Sequence, residues 1–213
     1  MTKLVMAVAA FSTQAVFALE VQAMDSSGAP LSLAVVTING VDIAPVKNSP
    51  TVVVEQNGQQ FSPQVTIVHP GTSVRFPNRD LTQHHVYSFS QAKTFEIALY
   101  GGEEPSPVVM DQPGIIAMGC NIHDWMLGYV YVSPDPLFGL TDKAGTLLLD
   151  VDLGAVDKVS VWHPGMSGNA PLEVSDSSRW SEGRIEITLP LPQGNPLDVE
   201  QDPLQSHFDG ASE

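Results

Sequence analysis

The apolar residues of this chain come in short alternating runs, each cut off by Gly, Pro, Asn or Asp, and that pattern restricts it to strands. The runs are LAVVTI at 33–38, TVVV at 51–54, VTIV at 65–68, GYVYV at 128–132, TLLLDV at 146–151, KVSVW at 158–162 and RIEITL at 184–189. Each is rich in β-branched or aromatic side chains, which fit a pleated surface, and each is too short to be a helix of ordinary length. No stretch sustains the 3.6-residue period of an amphipathic helix. With 17 glycines and 17 prolines in 213 residues, the chain turns too often for anything but short strands. The expected class is all-β, with the strands packed face to face as sandwiches.

Charge narrows the partners. The chain carries 24 acidic and 9 basic residues, a net charge of −15, which disfavours nucleic acid. The acidity is uneven: residues 51–132 hold 7 acids and 3 bases, whereas residues 133–213 hold 14 and 4. The final stretch, 193–213, has five acids, no Lys or Arg and few large apolar groups, and is expected to be a disordered acidic tail.

At the other end, Lys3, an apolar stretch from Leu4 to Phe17 and the small residue Ala18 read as an export leader cleaved after residue 18. The stretch is interrupted by Ser12, Thr13 and Gln14 and falls short of the ~20 apolar residues that span a bilayer. The mature chain would have no membrane span and a periplasmic or otherwise exported location. Losing Lys3 and no acid would take its charge to −16.

An exported chain makes its single cysteine conspicuous, because small exported domains ordinarily hold cysteines in pairs. Cys120 stands in Cys120-Asn121-Ile122-His123-Asp124-Trp125-Met126, with an imidazole at +3 and a thioether at +6. Thiolate, imidazole and thioether together suit copper; zinc shares the first two ligand types, and the methionine favours copper. A type 1 copper site also needs a second imidazole. His84-His85, in FPNRDLTQHHVYSFS, supplies it. On a strand these adjacent side chains point to opposite faces, so only one of the two can face the metal.

Gly71, Val74, Phe76, Asn78, His84 and Val86 fit a "G-x-x-V-x-F-x-N" strand followed by "H-x-V". Cys120, His123, Met126, Gly128, Val130 and Val132 fit "C-x-x-H-x-x-M-x-G" and its alternating valines. In both motifs, and in their order, residues 51–132 resemble the cupredoxins, and the two-residue spacing between His123 and Met126 is similar to amicyanin rather than plastocyanin. The resemblance implies a Greek-key cupredoxin sandwich over 49–134. It also implies one type 1 copper ion, with His84, Cys120 and His123 as equatorial ligands and Met126 as the axial one. His85 stands where Asn is common in those proteins, and is the alternative to His84 or the holder of a second ion.

The remaining histidines read otherwise. His69 and His163 each precede Pro and Gly, as in a turn after a strand, and His207 falls in the expected tail. Trp125 is expected to shield the metal, to form part of a docking patch or simply to pack within the loop, and Asp124 to be a solvated loop acid.

Two flanking segments complete the reading. Residues 20–43 carry "V-x-D-x-x-G-x-P"-like turn signals and residues 138–163 carry "T-D-x-x-G-x-x-x-L"; they resemble the strands of carboxypeptidase-regulatory or transthyretin-like domains. The expected arrangement is a cupredoxin inserted into, or followed by, a second small sandwich made of 19–48 and 135–192. The function this implies is single-electron transport between redox partners such as a c-type cytochrome or a dehydrogenase, one with a basic docking surface. With all four coordination positions supplied by protein, the expectation is not an enzyme. The alternative is a periplasmic copper carrier or store without redox turnover.

Overall fold

A computed structural model describes residues 17–44, 50–168 and 170–191. The tail from 193 lies outside the described residues, as does the leader except for Phe17 and Ala18, which open the first strand. The fold is all-β, as the alternation requires. The chain enters through β1 (Phe17–Met24) and β2 (Val35–Asn39). There follow β3 (Val52–Val53), β4 (Glu55–Gln56), β5 (Phe61–Ser62), β6 (Val65–Val68), β7 (Thr72–Arg75), β8 (His84–Ser90), β9 (Lys93–Tyr100), β10 (Val108–Met110), β11 (Gly114–Cys120) and β12 (His123–Val132). It ends with β13 (Leu137–Leu140), β14 (Thr146–Val151), β15 (Lys158–Trp162), β16 (Leu172–Val174) and β17 (Arg184–Thr188).

The pairing sorts these strands into two sandwiches that do not follow chain order. One is made only of the ends of the chain: a sheet β14-β1-β17 faces a sheet β13-β2-β15-β16. β1 pairs antiparallel with β14 and parallel with β17, and β2 lies between β13 and β15. The inward residues of both sheets, among them Leu19, Val21, Val36, Ile38, Val159, Val161, Ile185, Ile187 and Trp180, make one core. The other sandwich uses residues 52–132: a five-stranded sheet β6-β12-β11-β8-β9 faces a sheet β10-β7-β3, with a short β4-β5 pair alongside. Val54, Phe76, Val86, Met110, Ile116, Met118, Met126 and Val130 fill its interior, with Phe76 and Phe95 stacked at 5.8 Å. At about 25 cal/mol per Å² of apolar surface, these two cores supply the main force for folding.

The turn signals of the flanks have a physical basis. Asp142 Oδ1 accepts from the N–H groups of Ala144 and Thr146, closing the turn between β13 and β14. Gly145 in that turn has φ +73°, and a Cβ there would sit 2.5 Å from the carbonyl oxygen of Ala23; only glycine fits. Asp25 Oδ1 does the same for Ser27 and Ala29 after β1.

The two sandwiches meet on a third apolar cluster. Trp162 and Val35 from one pack on Val65, Ile115 and Tyr131 from the other, and the Trp162 ring lies 5.3 Å from Tyr129 and 6.0 Å from Tyr131. Beside it, buried Asp135 in the link from β12 to β13 accepts from Thr37 Oγ1 at 2.7 Å and Asn39 Nδ2 at 2.9 Å. The second crossing of the chain is thereby held by two side-chain hydrogen bonds to Asp135.

Candidate metal centre

The site forms where β8 and the β11–β12 hairpin meet. Cys120 ends β11 and faces His123 at the start of β12 across the two-residue turn Asn121-Ile122. The preceding rung joins Gly119 to Leu127, so the register shifts between Gly119 and Cys120. Such a bulge breaks the strict alternation of a strand and re-aims side chains. Here it lets His123 and Met126 both turn inward while Asp124 and Trp125 between them stay exposed. His84 opens β8 and approaches from the neighbouring strand.

Three donor atoms converge there. His84 Nδ1 lies 3.2 Å from His123 Nδ1, and Cys120 Sγ lies 3.6 Å from His123 Nδ1 and 4.0 Å from His84 Nδ1. All three side chains are buried, and Cys120 is unpaired. An ion bound about 2.0–2.3 Å from nitrogen and sulfur donors needs them roughly 3.3–3.8 Å apart. The observed separations bracket that range, so this donor set fits one metal ion with little adjustment. Met126 is buried in the same apolar cluster as Cys120. Among the described residues this is the one group of three or more Cys, His, Asp and Glu side chains close enough to hold a metal.

The hydrogen bonds around the site orient the donors. Asp80 Oδ2 lies 2.8 Å from His84 Nε2, so the imidazole donates there and keeps its Nδ1 lone pair turned toward Cys120 and His123. The Asp80 carboxylate also accepts from the backbone N–H groups of Gly58 and Gln59. Burial works to raise its pKa, but the hydrogen bonds from Gln59, His84 and Gly58 outweigh it and hold the carboxyl below the usual range. Burial lowers the pKa of His123, the nearby His84 lowers it further, and Asp80 opposes both. The neutral imidazole favoured there is the form that binds metal.

The two adjacent histidines part as strand geometry demands. His84 enters the donor cluster, whereas His85 points the other way, with Nε2 2.9 Å from Glu96 Oε1 on β9 and the ring 5.4 Å from Tyr87. Its Nδ1 is buried without a hydrogen-bond partner. His163 anchors a turn, its Nδ1 accepting from Gly165 N at 3.0 Å and its Nε2 lying 3.1 Å from the carbonyl oxygen of Ser32. His69 stacks against Phe138 at 4.7 Å, and His207 lies outside the described residues. Trp125 is exposed, its ring 5.3 Å from that of His123. The sequence reading missed Asp80; its signal was a carboxylate four residues before a candidate donor histidine in a turn-forming Asn-Arg-Asp segment.

No family model matches the chain, and neither does any curated protein. Solved structures similar to it are copper proteins of the cupredoxin kind, at low identity and over part of the chain. A copper-containing nitrite reductase from Thermus scotoductus SA-01 is 25% identical over 47% of this chain, with a TM-score of 0.38. The match spans 26% of the reductase, about a quarter of its length. Amicyanin from Paracoccus versutus is 17% identical, covering 46% of this chain and 97% of its own, with a TM-score of 0.36. A purple cupredoxin from Nitrosopumilus maritimus is 21% identical, covering 38% of this chain and 99% of its own, with a TM-score of 0.32. Among the described residues no helix is long and apolar enough to cross a membrane.

Proposed function

We propose that this chain is an exported type 1 copper protein that passes single electrons between redox partners. The observation that carries the reading is the convergence of one thiol sulfur and two imidazole Nδ1 atoms, 3.2–4.0 Å apart, all buried, with Cys120 in the same apolar cluster as Met126. Two imidazoles, one thiolate and a nearby thioether are a copper donor set rather than a structural zinc set. When bound, copper supplies a one-electron couple between its two lower oxidation states.

The protein residues do the rest. His84, Cys120 and His123 would hold the ion, with the buried Met126 thioether as a further, weaker donor. Asp80 fixes the His84 tautomer, and the sheet around Cys120 excludes water. The donors stand on three adjacent, hydrogen-bonded strands of one sheet, a rigid frame that would keep reorganisation small. We assign no catalysis, because the donor set leaves no position for a substrate, and we place the mature chain in the periplasm.

The test is the visible and EPR spectrum of the mature protein after one equivalent of Cu(II). An intense thiolate-to-copper band with narrow parallel hyperfine splitting, lost in Cys120→Ser and His84→Ala, is the expected result. A weakly coloured tetragonal signal, or no copper uptake, would sink the electron-transfer reading and leave a carrier or a zinc site.

A further inference from the structure

The outer face of the five-stranded sheet is aromatic along much of its width, and only one end of it is covered. Ile115, Tyr131 and Val65 are buried there under Trp162 and Val35 of the other sandwich, with Tyr129 half-buried against the same tryptophan. The same face continues toward the metal-binding end as Tyr87, Gly119 and Leu127, which form one row across β8, β11 and β12. Among the described residues, nothing lies on top here. Phe89 is 79% exposed and Leu127 39%, and with Tyr87 and Ala117 they line a shallow open groove of about 340 Å³. The floor is the backbone of Gly119, the residue before Cys120. A Cβ on Gly119 would come within 3.0 Å of the Tyr87 phenol, so a glycine here is what lets that ring lie down on the strand.

The charge around this face selects its occupant. The described part of the metal-bearing sandwich, residues 50–132, has 7 acids and 3 bases. All three bases are already engaged: Arg75 with Glu104, Arg79 with Glu55 and Lys93 with Asp111. Glu96, on the strand beside Tyr87, and Asp124, beside Trp125, face water with no Lys or Arg partner. A second copy of a chain carrying −15 would be repelled.

We infer that this groove is a docking surface for a basic protein that offers an apolar tip surrounded by Lys or Arg, and that it lies behind Cys120 rather than over His123. The inference rests on the electron-carrier reading for its purpose, since a partner seated here is one residue of backbone from the metal-binding thiol. Its geometry stands without the metal: an apolar strip that already packs against one sandwich continues, uncovered among the described residues, beside Glu96 in a sandwich with more acids than bases. Exposed apolar strips of this kind mark interaction sites, and complementary charge guides the encounter.

The experiment is amide chemical-shift mapping of the full chain, with and without bound copper, titrated with a basic c-type cytochrome at low and high salt. The expected perturbations lie at Tyr87, Phe89, Ala117, Gly119 and Leu127 and fade at high salt. Phe89→Ser and Leu127→Ser each weaken binding by about five- to tenfold, the usual size for an apolar anchor. Trp125→Ala changes it less than about twofold, as expected of a residue outside the anchor. Because Phe89 is so exposed, its replacement leaves the fold and the visible band intact. Perturbations centred on Ile122–Trp125 with Phe89→Ser neutral, or no binding at low salt, overturn the proposal. A wild type without the charge-transfer band defeats the electron-carrier reading instead, and the metal-free map still decides the docking surface.

Discussion

Asp80 holds His84 from behind: its Oδ2 is 2.8 Å from Nε2 of the imidazole, on the side away from Cys120. The same carboxylate ties down the backbone of Gly58 and Gln59, so the His84 ring is anchored to a turn more than twenty residues earlier in the chain. Asp80→Ala should therefore lower copper affinity by about 10- to 100-fold, the range seen when such supporting partners are removed. Competition against a chelator of known affinity measures it. An unchanged affinity would show that packing alone orients His84.

His84 and His85 are neighbours with opposite fates, and their single substitutions should separate cleanly. His84→Ala removes one of three converging donors and should abolish the thiolate-to-copper band. His85→Ala loses a contact with Glu96 that is 70% exposed on the acid's side, and should keep the band. A titration of both variants with Cu(II), read by absorbance, checks this; loss of colour in His85→Ala alone would reverse the ligand assignment.

Trp162 is the main apolar bridge between the sandwiches and is buried against Tyr129 and Tyr131. Trp162→Ala should cost about 3–5 kcal/mol, as large-to-small core changes do. Urea unfolding followed at the aromatic signals gives the value. The copper spectrum of the folded variant should stay unchanged, since Trp162 does not reach the donor set.

Alkali should weaken the fold through two tyrosines. Burial, reinforced by the charges of Asp135 and Glu173 against a hydrogen bond with Thr37, pushes Tyr131 up to about 12. Burial also takes Tyr100 up to about 12, opposed by its hydrogen bond with Gln56 and helped by the charges of Glu104 and Cys120. Each ionises near pH 10 when unfolded, so below that pH both states are protonated and stability is intact. Between pH 10 and 12 the unfolded chain releases protons that the folded one keeps, and stability falls as pH rises. Urea midpoints at pH 9 and pH 11 should show the drop, and Tyr131→Phe should lessen it.

Gly128 on β12 faces the Phe61 side chain, and a Cβ there would lie 2.8 Å from the Cβ of Phe61. A contact with a Cβ leaves little room for adjustment, so Gly128→Ala should cost about 1–3 kcal/mol through overpacking. Thermal melting of the metal-free protein measures it without interference from the ion.

The strands easiest to find in the sequence were those whose alternation is carried by valine and isoleucine. VTIV at 65–68, TLLLDV at 146–151 and KVSVW at 158–162 coincide with β6, β14 and β15. β9, KTFEIALY, escaped because its exposed positions hold Thr94, Glu96, Ala98 and Leu99 and none of its residues is fully buried, leaving a weak contrast between faces. TVVV at 51–54 shrinks to the two residues of β3, because Val54 is recruited to the core after the pairing with β7 ends. The donor residues were legible as spacings, whereas Asp80 was not: its role comes from a turn that folds back over four residues, and no ligand-spacing pattern includes it. The groove at Phe89 was equally hidden, since an exposed aromatic on a strand looks in sequence like any other alternating position.

The way β1 waits for its partners sets the order in which this molecule can be made. Its rungs join Glu20 to Leu148 and to Arg184, residues well over a hundred positions further along the chain. Every strand of the sandwich that carries Cys120, by contrast, finds its neighbour within residues 52–132. That sandwich can close while β1 is still unpaired, and once closed it brings β2 and β13 together and spares the chain most of the entropy of a loop that long. The cysteine-bearing core is then a folding template for the strands that surround it in sequence, and an unpaired β1 edge is the segment for chaperones to guard until β14 and β17 arrive.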